Sequence, residues 1–411
     1  MNALSKYNIL LICYTFPPYP GIGGRRWAKF AKYLSQSGIK VHVVCANNPF
    51  SSISQYCNDV KSDNIKVYTL KSLYPIALLK KPVTFIQKLI YRFFQIILKI
   101  IINGSIYDKS IFWGKQFNTL ADSLITKHNI KFIIASGAPF RLNYNAIQLK
   151  KKHSNLIVIN DFRDPWTWGL TYGFKDLSKK RREFESRMEY QTVQYSDVII
   201  VPDKAMLDHL KLKYNKFSKK IHVLPHGYDR DDFILKSETK NNKLLYYGTL
   251  YPDLDERFDA LASSLSQSNE ITLDIYSNSV QYFDYFIKYN SQNKVQFHQP
   301  INPILLFNEI STSLAVIIMQ PDYAINFITT KIYEIIYSKT KILYIGNTGL
   351  LSQYIEKNNL GICINARDLN NRSLMSILND LNSLKSDLDI SSFDYQCITD
   401  NLINILQSKT N

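Results

Sequence analysis

Ile9-Leu10-Leu11-Ile12, Pro17-Pro18, Gly21-Ile22-Gly23-Gly24, Arg25-Arg26-Trp27: this stretch near the start of the chain decides the fold. The four aliphatic residues read as a buried strand that runs into a glycine loop. Behind the loop, Trp27, Phe30, Ala31 and Leu34 recur at helical spacing, Gly38 stops the pattern, and Val41-His42-Val43-Val44 reads as a second buried strand. Strand, loop, helix, strand is the repeating unit of an α/β sheet. Glycines just ahead of a helix let backbone approach a ligand, and the unpaired N–H groups there favour an anion. Arg25 and Arg26 add charge at that end. The dinucleotide fingerprint is not met, because it would need glycine where Arg26 stands. A plain tight connection is the alternative reading.

A chain of 411 residues with 45% hydrophobic content can bury two cores, so two domains are expected. Cys13, Cys45, Cys57, Cys363 and Cys397 are odd in number and show no paired metal spacing, which points to a reducing compartment. Met1 to Lys6 lead straight into a core strand, so no export signal is expected. The net charge of +16 is uneven: residues 1–200 carry +18 and residues 201–411 carry −2. A lysine-rich composition would raise both halves. The asymmetry therefore says that the first half faces something anionic: a membrane surface, a phosphorylated substrate or nucleic acid.

Apolar runs at Ile9 to Ile12, Val41 to Val44, Phe132 to Ala135, Leu156 to Ile159 and Val198 to Val201 predict buried parallel strands separated by helices. After Pro202 a second series predicts strands at His222 to Leu224, Leu244 to Tyr247, Thr272 to Tyr276, Val295 to Phe297, Leu314 to Ile318, Lys341 to Ile345 and Gly361 to Ile364. The expected organisation is a domain over 1–200, a second over 201–394 and a terminal helix in 395–411, with the first domain as its candidate packing partner. The linker falls between Val201 and Asn242. Two doubly wound domains of this kind hold ligands outside the carboxyl ends of their strands.

Residues 82–102 break the rhythm. They are crowded with apolar residues, while Lys88, Arg92, Gln95 and Lys99 step by four, three and four along one helical face. A span would drag three cations through hydrocarbon, whereas a helix lying in the interface keeps them among headgroups. The candidate readings are a membrane-interface helix, with Lys88, Arg92 and Lys99 as its lipid-facing cations, and a core helix with one wet face.

At Asp161-Phe162-Arg163-Asp164-Pro165-Trp166 a strand ends in two carboxylates and a guanidinium. Such carboxylates orient hydroxyls or take a proton, and Arg163 can hold a phosphate or fix the carboxylates through forked hydrogen bonds. A structural ion pair closing the strand is the alternative. Further on, Tyr247-Gly248-Thr249 ends a strand, Arg257 follows it, and Lys331 and Glu334 share one face of a later helix. That spacing lets an ammonium meet a diphosphate while a carboxylate accepts hydrogen bonds from ribose.

In this order the motifs resemble family-4 glycosyltransferases of the two-domain GT-B type, in particular bacterial enzymes that build surface polysaccharides. The resemblance covers essentially the whole length. It rests on Phe16-Pro17-Pro18 through Gly23-Gly24-Arg25, on Asp161 through Trp166, on Glu185 through Ser196-Asp197, and on Pro225-His226-Gly227, Tyr247-Gly248-Thr249-Leu250 and Lys331-Ile332-Tyr333-Glu334. It implies two Rossmann-like doubly wound domains facing a central cleft, a nucleotide-sugar donor held mainly by the second, and an acceptor held mainly by the first. It also implies transfer with retained configuration. On it, Glu334 binds ribose, Lys331 and Arg257 face the diphosphate, and Gly23, Gly24, Gly248 and Thr249 complete the donor site. Arg25 and Arg26 fall to the acceptor, and Asp161, Arg163 and Asp164 to catalysis. The family often carries two glutamates separated by seven residues; here Asn326 stands where the first would be. Its basic pair after the glycine strand is reduced to Arg257.

No metal or other cofactor is expected, since fixed cations and helix-end N–H groups can stabilise a departing diphosphate. Asp229-Arg230-Asp231 and Asp253-Leu254-Asp255 match a metal-binding Asp-x-Asp pattern but read as acidic turns. The expected acceptor is a glycan or lipid-linked glycan, and the expected location is the cytoplasm, peripheral to the inner face of the plasma membrane. A nucleotide-sugar epimerase or hydrolase, and a non-catalytic scaffold, are the alternatives of the same fold. No zinc spacing, recognition helix or aromatic RNA-binding motif supports a nucleic-acid partner.

Overall fold

The computed structural model describes residues 7–80, 82–169, 174, 176–233, 240–277 and 282–410. Met1 to Lys6, on which the expectation about export rests, and linker residues 234–239 lie outside them. The chain forms two compact units, residues 1–225 with 395–411 and residues 226–394.

The first unit is built on seven parallel strands: β1 (Asn8–Cys13), β2 (Lys40–Ala46), β3 (Ile65–Leu70), β4 (Ile130–Gly137), β5 (Ile157–Phe162), β6 (Val198–Val201) and β7 (Ile221–Val223). Their spatial order is β3-β2-β1-β4-β5-β6-β7. Its helices are α1 (Arg25–Gln36), α2 (Phe85–Ile101), α3 (Gly114–His128), α4 (Arg141–Lys152), α5 (Lys179–Tyr195) and α6 (Lys204–Lys213). Because successive strand residues point to opposite faces, Ile9 and Leu11 join Trp27, Phe30 and Leu34 of α1 in one core, whereas Leu10 and Ile12 join Phe117 and Ala146 in the other. Burial on both faces is why β1 reads as an unbroken apolar run. Gly38 closes α1 at φ +79°, a conformation that costs other residues a clash, while the Ile39 amide returns to the Leu34 carbonyl.

The second unit holds β8 (Lys243–Tyr247), β9 (Thr272–Tyr276), β10 (Val295–His298), β11 (Ala315–Ile318), β12 (Lys341–Ile345) and β13 (Gly361–Ile364), in the order β10-β9-β8-β11-β12-β13. Its helices are α7 (Asp255–Ser266), α8 (Phe283–Lys288), α9 (Pro303–Thr312), α10 (Lys331–Tyr337), α11 (Leu350–Lys357), α12 (Ala366–Asn371) and α13 (Leu374–Ser383). The last helix, α14 (Tyr395–Gln407), belongs to the first unit, where Tyr395 meets Phe30 edge to face with ring centroids 5.5 Å apart.

One expectation is corrected, and one strand carries no signal in the sequence. The strand expected at His222 to Leu224 opens no second sheet; as β7 it pairs with β6, Ile199 beside Ile221, and moves the domain boundary from residue 200 to Pro225. The edge strand β3 carries no buried run to reveal it, since Lys66, Val67 and Thr69 are exposed. In each sheet the strand order reverses once, between β1 and β4 and between β8 and β11. Ligands of open α/β sheets bind outside the carboxyl ends of the strands at these reversals.

Candidate functional site

The reversal in the second unit gathers residues far apart in sequence. β8 ends at Tyr247 and the chain turns at Gly248 with φ +103°. A Cβ there would lie 2.8 Å from Lys331 Nζ, so the bare backbone is what admits the lysine. Lys331, at the start of α10, donates to the Tyr247 carbonyl oxygen and sits over the rings of Tyr246 and Tyr247, 5.2 and 4.9 Å from their centroids. Burial pushes its ammonium down to about 8, against the pull of Glu334. Glu334, one turn on, is buried and accepts a hydrogen bond of 3.3 Å from the Tyr247 hydroxyl. The structure therefore brings Gly248, Lys331 and Glu334 together, with Tyr247 joining them. Sequence reasoning assigns Tyr247 no role, although it directly precedes the glycine.

Arg257 on α7 is also buried; it donates to Asp322 Oδ1 and, at 3.4 Å, to the Asp253 carbonyl. Asp322, just past β11, accepts from Asn347 Nδ2 at 3.0 Å as well. Thr249 is exposed, and its carbonyl accepts from the Tyr246 hydroxyl at 2.9 Å. Asn326 lies exposed in the turn between β11 and α10. Asp229 accepts from the Asp231 amide as a turn cap, and Arg230 pairs with Asp394. Leu254, within the other Asp-x-Asp, is fully buried.

At the reversal in the first unit, Arg163 is the hub. Its guanidinium donates to the carbonyls of Gly23 (2.7 Å) and Ala138 (3.2 Å) and to Asp164 Oδ2 (3.2 Å). It thereby ties the loop after β1 and the end of β4 to the end of β5. Gly23 is tight against this frame, since a Cβ would meet Thr15 Oγ1 at 2.9 Å. Asp164 stays a third exposed. Lys109, which carries no periodic signal in the sequence, stands within electrostatic range of Arg163. Burial lowers its pKa, and the Arg163 charge lowers it further.

Asp161 and Arg26 are placed differently from expectation. Asp161, read as catalytic, is fully buried and accepts from Arg26 Nε (3.2 Å) and NH2 (3.3 Å), Trp27 Nε1 (2.8 Å) and Ser136 Oγ (2.9 Å). Arg26, read as acceptor-binding, spends its other donors on the carbonyls of Leu224 and Pro225. Three of these donors converge on Oδ2 and one on Oδ1, and complete burial keeps the carboxylate from a substrate, so the pair welds the start of α1 to β5 and to the segment just after β7. Arg25 is buried as well.

No protein-family model and no curated protein matches the chain. Solved structures do match it over nearly its whole length. Sucrose-phosphate synthase from Thermosynechococcus elongatus is 13% identical, with a TM-score of 0.64 over 98% of this chain and 99% of that one. WaaG, a glycosyltransferase involved in lipopolysaccharide biosynthesis, is 12% identical with a TM-score of 0.57 over 97% and 99%. A putative UDP-N-acetylglucosamine 2-epimerase from Listeria monocytogenes is 11% identical with a TM-score of 0.58 over 98% and 96%. At such identities the likeness is one of fold: the chain has the GT-B architecture of two Rossmann-like units, which glycosyltransferases share with an epimerase.

Proposed function

We propose that this protein is a retaining glycosyltransferase that moves a sugar from a nucleotide-sugar donor to a glycan or lipid-linked glycan acceptor in cell-surface polysaccharide biosynthesis. It works in the cytoplasm, peripheral to the membrane. The observation that carries the reading is the convergence of Lys331 and Glu334 on Tyr247-Gly248 at the strand reversal of the second unit. A half-buried ammonium beside bare backbone suits a diphosphate, and a buried carboxylate one turn away suits the two ribose hydroxyls.

As the bond between the anomeric carbon and the diphosphate oxygen breaks, negative charge grows on the diphosphate. Lys331 meets it, with Arg257 across the same strand ends, and fixed donors in a dry site need no reorganisation to do so. The acceptor hydroxyl attacks the anomeric carbon while its proton passes to an oxygen of the departing diphosphate. Asp164 orients that hydroxyl, Arg163 holds the loop against which the acceptor rests, and Asp161 with Arg26 keeps the frame in place. No metal is required by this scheme.

The test is turnover of a nucleotide-sugar panel with and without glycan acceptors. Acceptor-dependent release of nucleoside diphosphate, with the product keeping the donor's anomeric configuration, is the expected result. Release or isomerisation of sugar that ignores the acceptor would assign the site to the epimerase or hydrolase chemistry of the same fold.

A further inference from the structure

Helix α2 wears its apolar side outward. At about 100° per residue, Ile96, Leu89, Ile100, Phe93 and Ile86 fall within an arc of about 80°. Each of them is more than half exposed, from 53% at Leu89 to 79% at Ile100. Lys88, Lys99 and Arg92 occupy the adjoining arc of about 40°. The opposite side, with Leu98, Tyr91 and Phe94, packs on Tyr74, Leu78 and Ile106. A core helix with one wet face would expose its polar residues and bury its apolar ones; α2 exposes its apolar strip together with Lys88, Arg92 and Lys99. It is nonetheless a well-made helix, with Thr84 and Gln87 closing a reciprocal cap at its start.

The surroundings of this strip are basic. Arg181 of α5 donates to the carbonyls of Lys99 and Gly104, and Arg141 donates to that of Asn103, so the run Lys179-Lys180-Arg181-Arg182 stands at the far end of α2. From Asn64 to Tyr107 the chain holds seven basic residues and no acidic one. The first unit as a whole has 36 basic and 14 acidic residues, a net +22, against −6 for the second. A second copy of so uniformly cationic a face would meet it with repulsion, whereas a sheet of phosphate headgroups over acyl chains matches both the charge and the apolar strip.

From these observations we infer that α2 is the docking surface of this protein on an anionic lipid bilayer, lying in the plane of the membrane. Its apolar strip enters the acyl-chain boundary, while Lys88, Arg92, Lys99 and the basic start of α5 sit among the headgroups. Seventeen residues make a helix about 25 Å long, short of a span. Among the described residues no helix is long and apolar enough to cross a membrane. The inference deepens the proposed function and rests on it for its purpose, which is to bring a lipid-linked acceptor to the first unit.

The experiment is flotation of the full chain with vesicles of phosphatidylglycerol and of phosphatidylcholine. Two variants are compared, Leu89→Ser/Phe93→Ser/Ile96→Ser and Lys88→Gln/Arg92→Gln/Lys99→Gln. Their side chains are solvent-facing, so both should melt with the parent chain. The parent chain should float with phosphatidylglycerol far more than with phosphatidylcholine. The charge variant should lose about a hundredfold in affinity, and the apolar variant should not float at all. The inference is overturned by a parent chain that ignores phosphatidylglycerol, by an apolar variant that binds as the parent does, or by a dimer that the apolar variant dissolves. A nucleotide sugar that still raises the melting temperature in vesicle-free buffer would show that the docking inference alone had failed.

Discussion

Lys331 Nζ is hydrogen-bonded to the carbonyl oxygen of Tyr247, a residue 84 positions earlier, and lies over that residue's own ring. The contact exists because Gly248 has no side chain to fill the space. Gly248→Ala should therefore act twice, by placing a Cβ 2.8 Å from the ammonium and by forcing alanine to φ +103°. Steric strain at such a φ costs on the order of 1–2 kcal/mol. Donor affinity should fall at least tenfold and the melting temperature by a few degrees, both read in one thermal-shift titration with the preferred donor.

Donor binding should depend on pH through the same lysine. In the free protein burial holds its ammonium at about 8, and an approaching diphosphate favours the charged form. Donor affinity should then be flat up to about pH 7.5 and weaken as pH rises through 8, with proton uptake on binding above that point. Calorimetry in buffers of different ionisation enthalpy measures the uptake. In Lys331→Met the affinity should be low and this pH dependence gone.

The two carboxylates of the Asp-Phe-Arg-Asp segment should separate cleanly. Asp161→Ala leaves the Arg26 guanidinium buried without its partner and should cost about 3–5 kcal/mol of stability. Asp164→Ala, at a position one-third exposed, should melt within about 0.5 kcal/mol of the parent. It should nevertheless lose turnover without losing donor affinity. Chemical denaturation alongside kinetics checks both halves.

At the opposite, amino-terminal edge of the first sheet, His42 stacks on His128 with centroids 4.1 Å apart, and its Nδ1 is 3.4 Å from the Tyr68 hydroxyl. Burial, then His128, Lys66 and Lys40, push its pKa from 6.5 down to about 4. The folded state thus binds the proton more weakly than the unfolded chain. Stability from this site is complete above about pH 6.5 and is lost as pH falls toward 4. His42→Phe should flatten that part of the stability curve, which urea midpoints taken across the range would show.

Local periodicity makes much of the fold legible in the sequence, but little that depends on long-range neighbours can be read there. Buried strands such as β1 and β12 announce themselves as apolar runs because both faces are covered. β3 does not, since it borders the sheet and alternates with exposed residues. An apolar run also says nothing of which sheet it joins, so the sequence alone credits β7 to the wrong unit. Lys331 and Glu334 are legible from spacing, whereas Lys109 sits in a segment without periodicity. Asp161 shows the limit most plainly. Its carboxyl type invites catalysis, yet its donors Arg26, Trp27 and Ser136 lie 135, 134 and 25 positions away, and only the fold brings them to it.

The central claim is that the second unit holds an activated sugar through Lys331 and Glu334. Its most direct measurement is the dissociation constant of the preferred nucleotide sugar for the parent chain, Lys331→Met and Glu334→Ala, with circular dichroism confirming that all three are folded. The account predicts a loss of tenfold or more in each variant, the cost of roughly one charge-assisted interaction. Unchanged donor affinity in both folded variants would contradict it.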